Sequence, residues 1–300
     1  MRVSYRWLCE LLPGLRATPT EVAEQLTNVG LEVEATELFG EGLEEVRVVV
    51  VRKVERHPSS SKLTLVTVER EASQLQCVVC GAPNVPEPGG LVALAPAGTR
   101  LPRAGITVQP RKVAGVMSSG MLCSEAELGL GDDASGILIL PQAVAAPGTP
   151  LTQALPAASD TTFDLGVTPN RPDALGHVGV ARDLAAIGHL ELSLPETSPV
   201  ATIAHAELGE LVSVENRAPE RCPHYGAAAV LEVDVGPSPL WLRWRLFSLG
   251  IRPISNVVDI ARRFPPRTVT PATLPHKVIP LMKKPLMRPL RPSMTSKAAQ

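Results

Sequence analysis

The sequence predicts an α+β protein of several domains, in which a small closed β-barrel interrupts a helical unit and a further α+β unit begins afterwards. Three observations predict it. The hydrophobic period is close to that of a helix near residues 1–30 and 170–188, but switches to two between about 46 and 140. The 300 residues are enough for about two domains. A 44% hydrophobic and 20% charged composition is that of an ordinary globular chain.

The first helix pair is punctuated at both ends. Ser4 can cap Tyr5–Leu12, and Pro13-Gly14 stops it. Thr18-Pro19-Thr20-Glu21 then reads as a capping box with proline at the first helical position, followed by Val22, Leu26 and Val29 on one face and Gly30 at the close. From 46 onward VRVVVVRKVE (46–55), LTLVTVE (63–69), LQCVVC (75–80), LVALA (91–95), ITVQ (106–109) and GILIL (136–140) read as strands, with turns at 57–62 and 81–84. Ser124 caps a short helix over 125–128. Five or six short strands with one small helix predict a Greek-key barrel of the OB type, with a β-sandwich as the competitor.

Asp173 leads into a helix over 174–187, which can pack against the first helices and make the barrel an insertion. Residues 191–210 read as a linker. A strand pair, 211–215 and 227–233, opens another unit, followed by a helix from Ser238-Pro239 through Trp241, Leu242, Leu246 and Leu249 to Gly250. This unit is incomplete, so the apolar stripe of its helix is expected to be exposed and residues beyond about 195–210 to be trimmed by proteases.

Composition excludes several classes of function. No run approaches the roughly 18 apolar residues of a membrane helix, and Arg6 and Glu10 interrupt any signal-peptide core, so a cytoplasmic location is expected. Cys77-Val78-Val79-Cys80 lacks the second ligand pair of a zinc site, and in a strand the two thiols point to opposite faces. No glycine-rich loop cradles phosphate: Gly129-Leu130-Gly131 precedes two aspartates.

Charge is uneven. Residues 1–260 hold 20 basic and 30 acidic side chains, whereas 261–300 hold nine basic, no acidic and eight prolines, the composition of a disordered tail. Within the −10 body, residues 46–140 carry ten bases against eight acids. Arg47, Arg52, Lys53, Lys62, Arg111 and Lys112 fall near predicted strand ends, where they can meet a phosphate backbone. The span has no aromatic residue, which disfavours base stacking.

Six segments, NVGLEVE (28–34), VCGAPNV (79–85), SSGMLCSEAELGL (118–130), TPNRPDALGHVGVARDLAA (168–186), GPSPLWLRWRL (236–246) and GIRPISNVVD (250–259), together resemble the beta subunits of bacterial phenylalanyl-tRNA synthetase. The resemblance covers about residues 1–260. It implies an N-terminal helical domain from 1–40 and 150–195, an OB-type tRNA-binding domain at 41–149, the start of an editing domain at 205–260, and a foreign tail at 261–300. It further implies that tRNA and an alpha subunit, in a heterotetramer, are the partners. ATP and magnesium would serve the alpha subunit's reaction, with no cofactor and no catalytic residue on this chain. The family's turn resembling HPNADKL stands here as His57-Pro58-Ser59-Ser60-Ser61-Lys62-Leu63, without its Asn and Asp. After Asp259 the family pattern stops, which points to a frameshift or early termination of a longer subunit. A free-standing tRNA-binding protein and an inactive remnant are the rival readings.

Overall fold

The computed structural model describes residues 1–71, 74–195, 213, 215–225 and 233–263, with side chains through 260. Its chain divides into two compact units, Met1–Glu196 with Ser238–Ile254, and Thr197–Pro237 with Ser255–Gln300. The predicted strands at 211–215 and 227–233 and the tail from 264 lie outside the described residues, apart from isolated positions.

The first unit begins with a short strand, β1 (Arg2–Ser4), running into helix α1 (Tyr5–Leu11). The Ser4 hydroxyl accepts the Trp7 amide at 3.0 Å and donates to the Asp160 carboxylate at 2.5 Å, so one side chain caps the helix and ties it to distant sequence. Helix α2 (Pro19–Asn28) carries the expected capping box of Thr18 and Glu21, which pulls the Glu21 carboxyl below its usual pKa. Strand β2 (Glu32–Phe39) follows, and the chain leaves this region until residue 160.

Residues 47–140, within the same unit, build ten strands. They are β3 (Arg47–Arg56), β4 (Thr64–Glu69), β5 (Leu75–Cys80), β6 (Leu91–Pro96), a hairpin of β7 (Arg100–Leu101) and β8 (Ile106–Thr107), and a second hairpin of β9 (Arg111–Val113) and β10 (Val116–Ser118). Strand β11 (Gly120–Leu122), helix α3 (Glu125–Leu128) and the last strand, β12 (Ile139–Leu140), follow. The main sheet has the order β11-β6-β3-β4-β5, all antiparallel, with β12 also on β6. Its two ends approach each other: Ser119 N–H donates to Cys77 O at 3.3 Å, and the Gln76 amide to Ser119 O at 2.7 Å. The sheet is therefore nearly closed. A Cβ at Gly120 would sit 2.8 Å from the Gln76 amide nitrogen and 3.0 Å from Ala95 O, so this seam needs glycine.

Alternation explains why β3 and β6 are buried on both faces. Val49, Val51, Val92 and Leu94 fill the interior with Val66, Val68, Val78 and Leu122. Val48, Val50, Leu91 and Ala93 point outward, yet are buried with Leu128, Leu140 and Leu151. Cys80 lies in the interior cluster and burial pushes its thiol up, while Cys77 is half-buried.

Helix α4 (Leu151–Ala154) and a 3-10 turn (Pro156–Ala158) lead back to strand β13 (Asp160–Gly166), which pairs with β1 on one side and β2 on the other. The unit expected to be helical thus holds a three-stranded antiparallel sheet. Helix α5 (His177–Gly188) starts at Gly176, after a 3-10 turn over Pro172–Ala174, rather than at Asp173 as the sequence pattern suggests. Arg171 ties that turn down by donating to Asp173 at 2.8 Å and to Asp183 at 2.6 Å. Leu8, Leu11, Leu12, Val22, Leu26, Phe163, Val180 and Leu184 form the core between helices and sheet.

Helix α6 (Leu240–Ser248) overturns part of one expectation. Of the stripe expected to be exposed, Leu242 and Leu246 are at most 1% exposed and Leu249 is half-buried, whereas Trp241 is 39% exposed; Trp244, outside that stripe, is fully buried. Trp244 joins the outer cluster beside the barrel, Arg243 reaches Glu125 at 2.5 Å, and Arg245 pairs with Glu10. The Arg245 guanidinium lies 5.2 Å from the Trp7 ring centroid, and Trp7 stacks on His177 at 4.1 Å. A two-sided helix of this kind needs partners from its own unit and finds them in α1, α3 and the outer sheet face.

In the second unit, helix α7 (Asn256–Arg263) runs through Asp259, after which the family pattern stops. The Asn256 side chain accepts the Gly236 amide at 3.2 Å and donates to Asp234 O at 2.9 Å.

Candidate nucleic-acid interface

Six cations were singled out by the sequence, and the structure sorts them into two groups. Arg47 opens β3 with its guanidinium on Glu44 O at 2.5 Å and Glu45 at 3.3 Å. Arg52 sits where the β3–β4 register shifts between Val51 and Lys53, and pairs with Glu69. Lys53 meets Glu55, its neighbour two residues along the strand, at 3.0 Å. These three are already neutralised locally.

Lys62, Arg111 and Lys112 are exposed, with no carboxylate partner among the described residues. The loop that carries the first is tied to the hairpin that carries the other two. Lys62 lies on the loop after β3; Arg111 and Lys112 lie on β9, paired with Ser118 and Met117 of β10. Ala114 (φ 48°) and Gly115 (φ 95°) make the tight two-residue turn of that hairpin. His57, only 4% exposed, holds loop to hairpin, with Nε2 3.3 Å from Val113 O. The Ser59 hydroxyl donates to Ala114 O at 3.0 Å. At the other flank, the Ser118 hydroxyl accepts the Val79 amide at 3.1 Å, fixing the hairpin to β5.

Sequence reasoning read 57–62 as a turn, likened it to a turn of the family and took Lys62 from it, but left His57 and Ser59 out of the site. A histidine followed by proline and serine is the signal that was available, because both can bond local backbone. Arg56 is a further exposed cation without a described acid partner, at the end of β3 beside this loop. Exposed ion pairs are worth about 0–1 kcal/mol, so Arg47, Arg52 and Lys53 can still be recruited at low cost. What the corner offers chemically is positive charge on a pinned backbone, without a stacking ring. By contrast residues 17–46, which build α2 and β2, hold eight acids and no base.

Residues 46–150, which hold the nearly closed antiparallel barrel, match the family model tRNA_bind, "Putative tRNA binding domain". Residues 221–262 match the B3/4 domain model. Over most of its length the chain is similar to phenylalanine–tRNA ligase beta subunits. It is 43% identical over 263 residues to that of Syntrophus aciditrophicus and 44% identical over 261 residues to that of Anaeromyxobacter dehalogenans. The matches cover 87% and 86% of this chain and 31% of each relative, so the chain spans about a third of the length of the curated relatives it matches. The relative from Chlorobaculum tepidum is 41% identical over 265 residues, again 87% of this chain and 31% of that protein. A MetRS related protein from Pyrococcus horikoshii aligns with 34% of this chain and 84% of its own at 21% identity, with a TM-score of 0.24 that says nothing of fold. No helix among the described residues is long and apolar enough to cross a membrane.

Proposed function

We propose that this chain is part of a phenylalanine–tRNA ligase beta subunit whose barrel binds tRNA. Lys62, Arg111 and Lys112 would make the first contacts, with Arg47, Arg52 and Lys53 joining as their ion pairs open. One observation carries the reading: the segment that matches a tRNA-binding model holds three exposed cations without a carboxylate partner among the described residues, on a loop and a hairpin that are tied together. The barrel would be of the OB type, inserted into a domain made from about 1–40 and 150–195, and residues 205–260 would begin an editing domain, in line with the B3/4 match. ATP and magnesium would be used by an alpha subunit, which this chain would assist in the cytoplasm by holding the tRNA.

Binding of tRNA to the full chain across a salt series tests the first part. Three phosphate contacts predict a slope of log affinity on log salt of about −2 to −3. A flat curve overturns it. Mixing with a phenylalanine–tRNA ligase alpha subunit tests the second: complex formation and charging of tRNA with phenylalanine support a subunit, whereas tRNA binding without assembly supports a free-standing tRNA-binding protein.

A further inference from the structure

We infer that His57 is a positioning residue of this interface: it clamps the Lys62 loop onto the β9–β10 hairpin, so that Lys62, Arg111 and Lys112 meet a phosphate backbone as one preformed group. The inference rests on the reading of those cations as tRNA contacts. His57 is buried while Arg56 before it and Pro58, Ser59 and Lys62 after it are exposed, so its ring turns in where its neighbours turn out. Nδ1 accepts the Ser59 amide at 3.2 Å. That fixes the tautomer: the proton is on Nε2, which donates to Val113 O at 3.3 Å across to the hairpin. Ser59 adds the second link through Ala114 O. The loop's own base is closed by the His57 amide on Leu63 O at 3.1 Å, leaving a short arc with Lys62 on it.

Two cationic loops ordered separately would each lose conformational freedom on meeting RNA. Linking them beforehand removes part of that cost from the binding step. A histidine that merely fills space would contribute to folding and leave the coupling between Lys62 and the hairpin untouched. The two roles therefore differ in a measurable way.

The test uses the full chain and unfractionated tRNA in about 0.1 M salt. Losing one backbone contact there lowers affinity about five- to eightfold and makes the salt slope shallower by about 0.7–0.9. Lys62→Ala should do this directly. His57→Gln and Ser59→Ala should each lower affinity severalfold with a shallower slope, and adding Lys62→Ala to either should cost much less than it does alone, since the contact is already loosened. Ser59 is exposed, so its variant keeps the test alive should His57→Gln lower the melting point. Wild-type affinity and slope in both variants, or losses that multiply fully with Lys62→Ala, overturn the positioning role alone. If Lys62→Ala combined with Arg111→Ala and Lys112→Ala leaves tRNA binding unchanged, the interface reading itself falls and takes this inference with it.

Discussion

Replacing Trp244 by alanine measures how firmly α6 belongs to the first unit. The Trp244 side chain is fully buried in one cluster with Val48, Val50, Leu128 and Leu151. Truncating a buried tryptophan to alanine costs about 3–5 kcal/mol, from lost transfer energy and the cavity left behind. For a unit of this size that is a drop of about 6–20 °C in Tm, at about 2–4 °C per kcal/mol. The indole Nε1 is buried with no hydrogen-bond partner among the described residues. Trp244→Phe therefore gives up no bond and removes an unsatisfied donor, and should cost under about 2 kcal/mol. Thermal melting and urea unfolding followed by circular dichroism read both variants. Limited proteolysis of the parent chain should leave a peptide containing 240–248 bound to the 1–196 body, and Trp244→Ala should release it. A Tm within 2 °C of the parent for Trp244→Ala, or a 240–248 peptide that washes away from the untouched chain, refutes the docking of this helix.

Further outcomes are expected. Lys62→Ala, Arg111→Ala and Lys112→Ala together should make the salt dependence of tRNA affinity shallower by about 2–3, while Arg47→Ala, Arg52→Ala and Lys53→Ala together should change it by less; filter binding across salt decides, and the reverse order rejects the sorting by ion pairing. Gly179→Ala would place a Cβ 1.7 Å from Asp173 O, so the turn before α5 must move; a loss of at least about 3 kcal/mol in urea unfolding is expected, and a neutral result contradicts the packing. Burial first, and Arg245 second, hold the His177 imidazole down to about 3, so it is neutral in the folded chain. The unfolded state then takes up the extra proton between pH 6.5 and 3. Stability from this group is complete above pH 6.5 and lost as pH falls toward 3, at up to about 1.4 kcal/mol per pH unit. Comparing urea unfolding of the parent and His177→Gln across that window should show the parent losing more on acidification; parallel profiles would show that the ring is solvated.

Legibility varied with how local the signal was. The Thr18–Glu21 capping box and the Ser4 and Ser124 caps could be read because each helix start is decided within four residues. The strands from 47 to 96 could be read because β-branched runs separated by turns admit few alternatives. Strand β2 was missed: EVEATELF has acids and small residues where a strand pattern wants large apolar ones, and only pairing with β13 makes it a strand. The β9–β10 hairpin was missed as well, since Val113-Ala114-Gly115-Val116 has only one glycine to announce a turn that needs two positive φ angles. Of the six cations, the sequence supplied the charges but not the pairing, because Arg52 meets Glu69 across a ladder whose register depends on a bulge.

By itself the sequence determined where the chain can begin a helix, where it must turn, which stretch alternates, and that residues 46–140 carry more bases than acids inside a body otherwise acidic. Those are properties of neighbours along the chain. Only the tertiary structure decided that β13 brings β1 and β2 into one sheet, that α6 lies against the outer face of the barrel, and that His57 ties the loop carrying Lys62 to the hairpin carrying Arg111 and Lys112. Each of these is a contact between residues roughly fifty to two hundred positions apart, set by which buried surfaces fit and which backbone groups remain to be satisfied, and no local pattern records that choice.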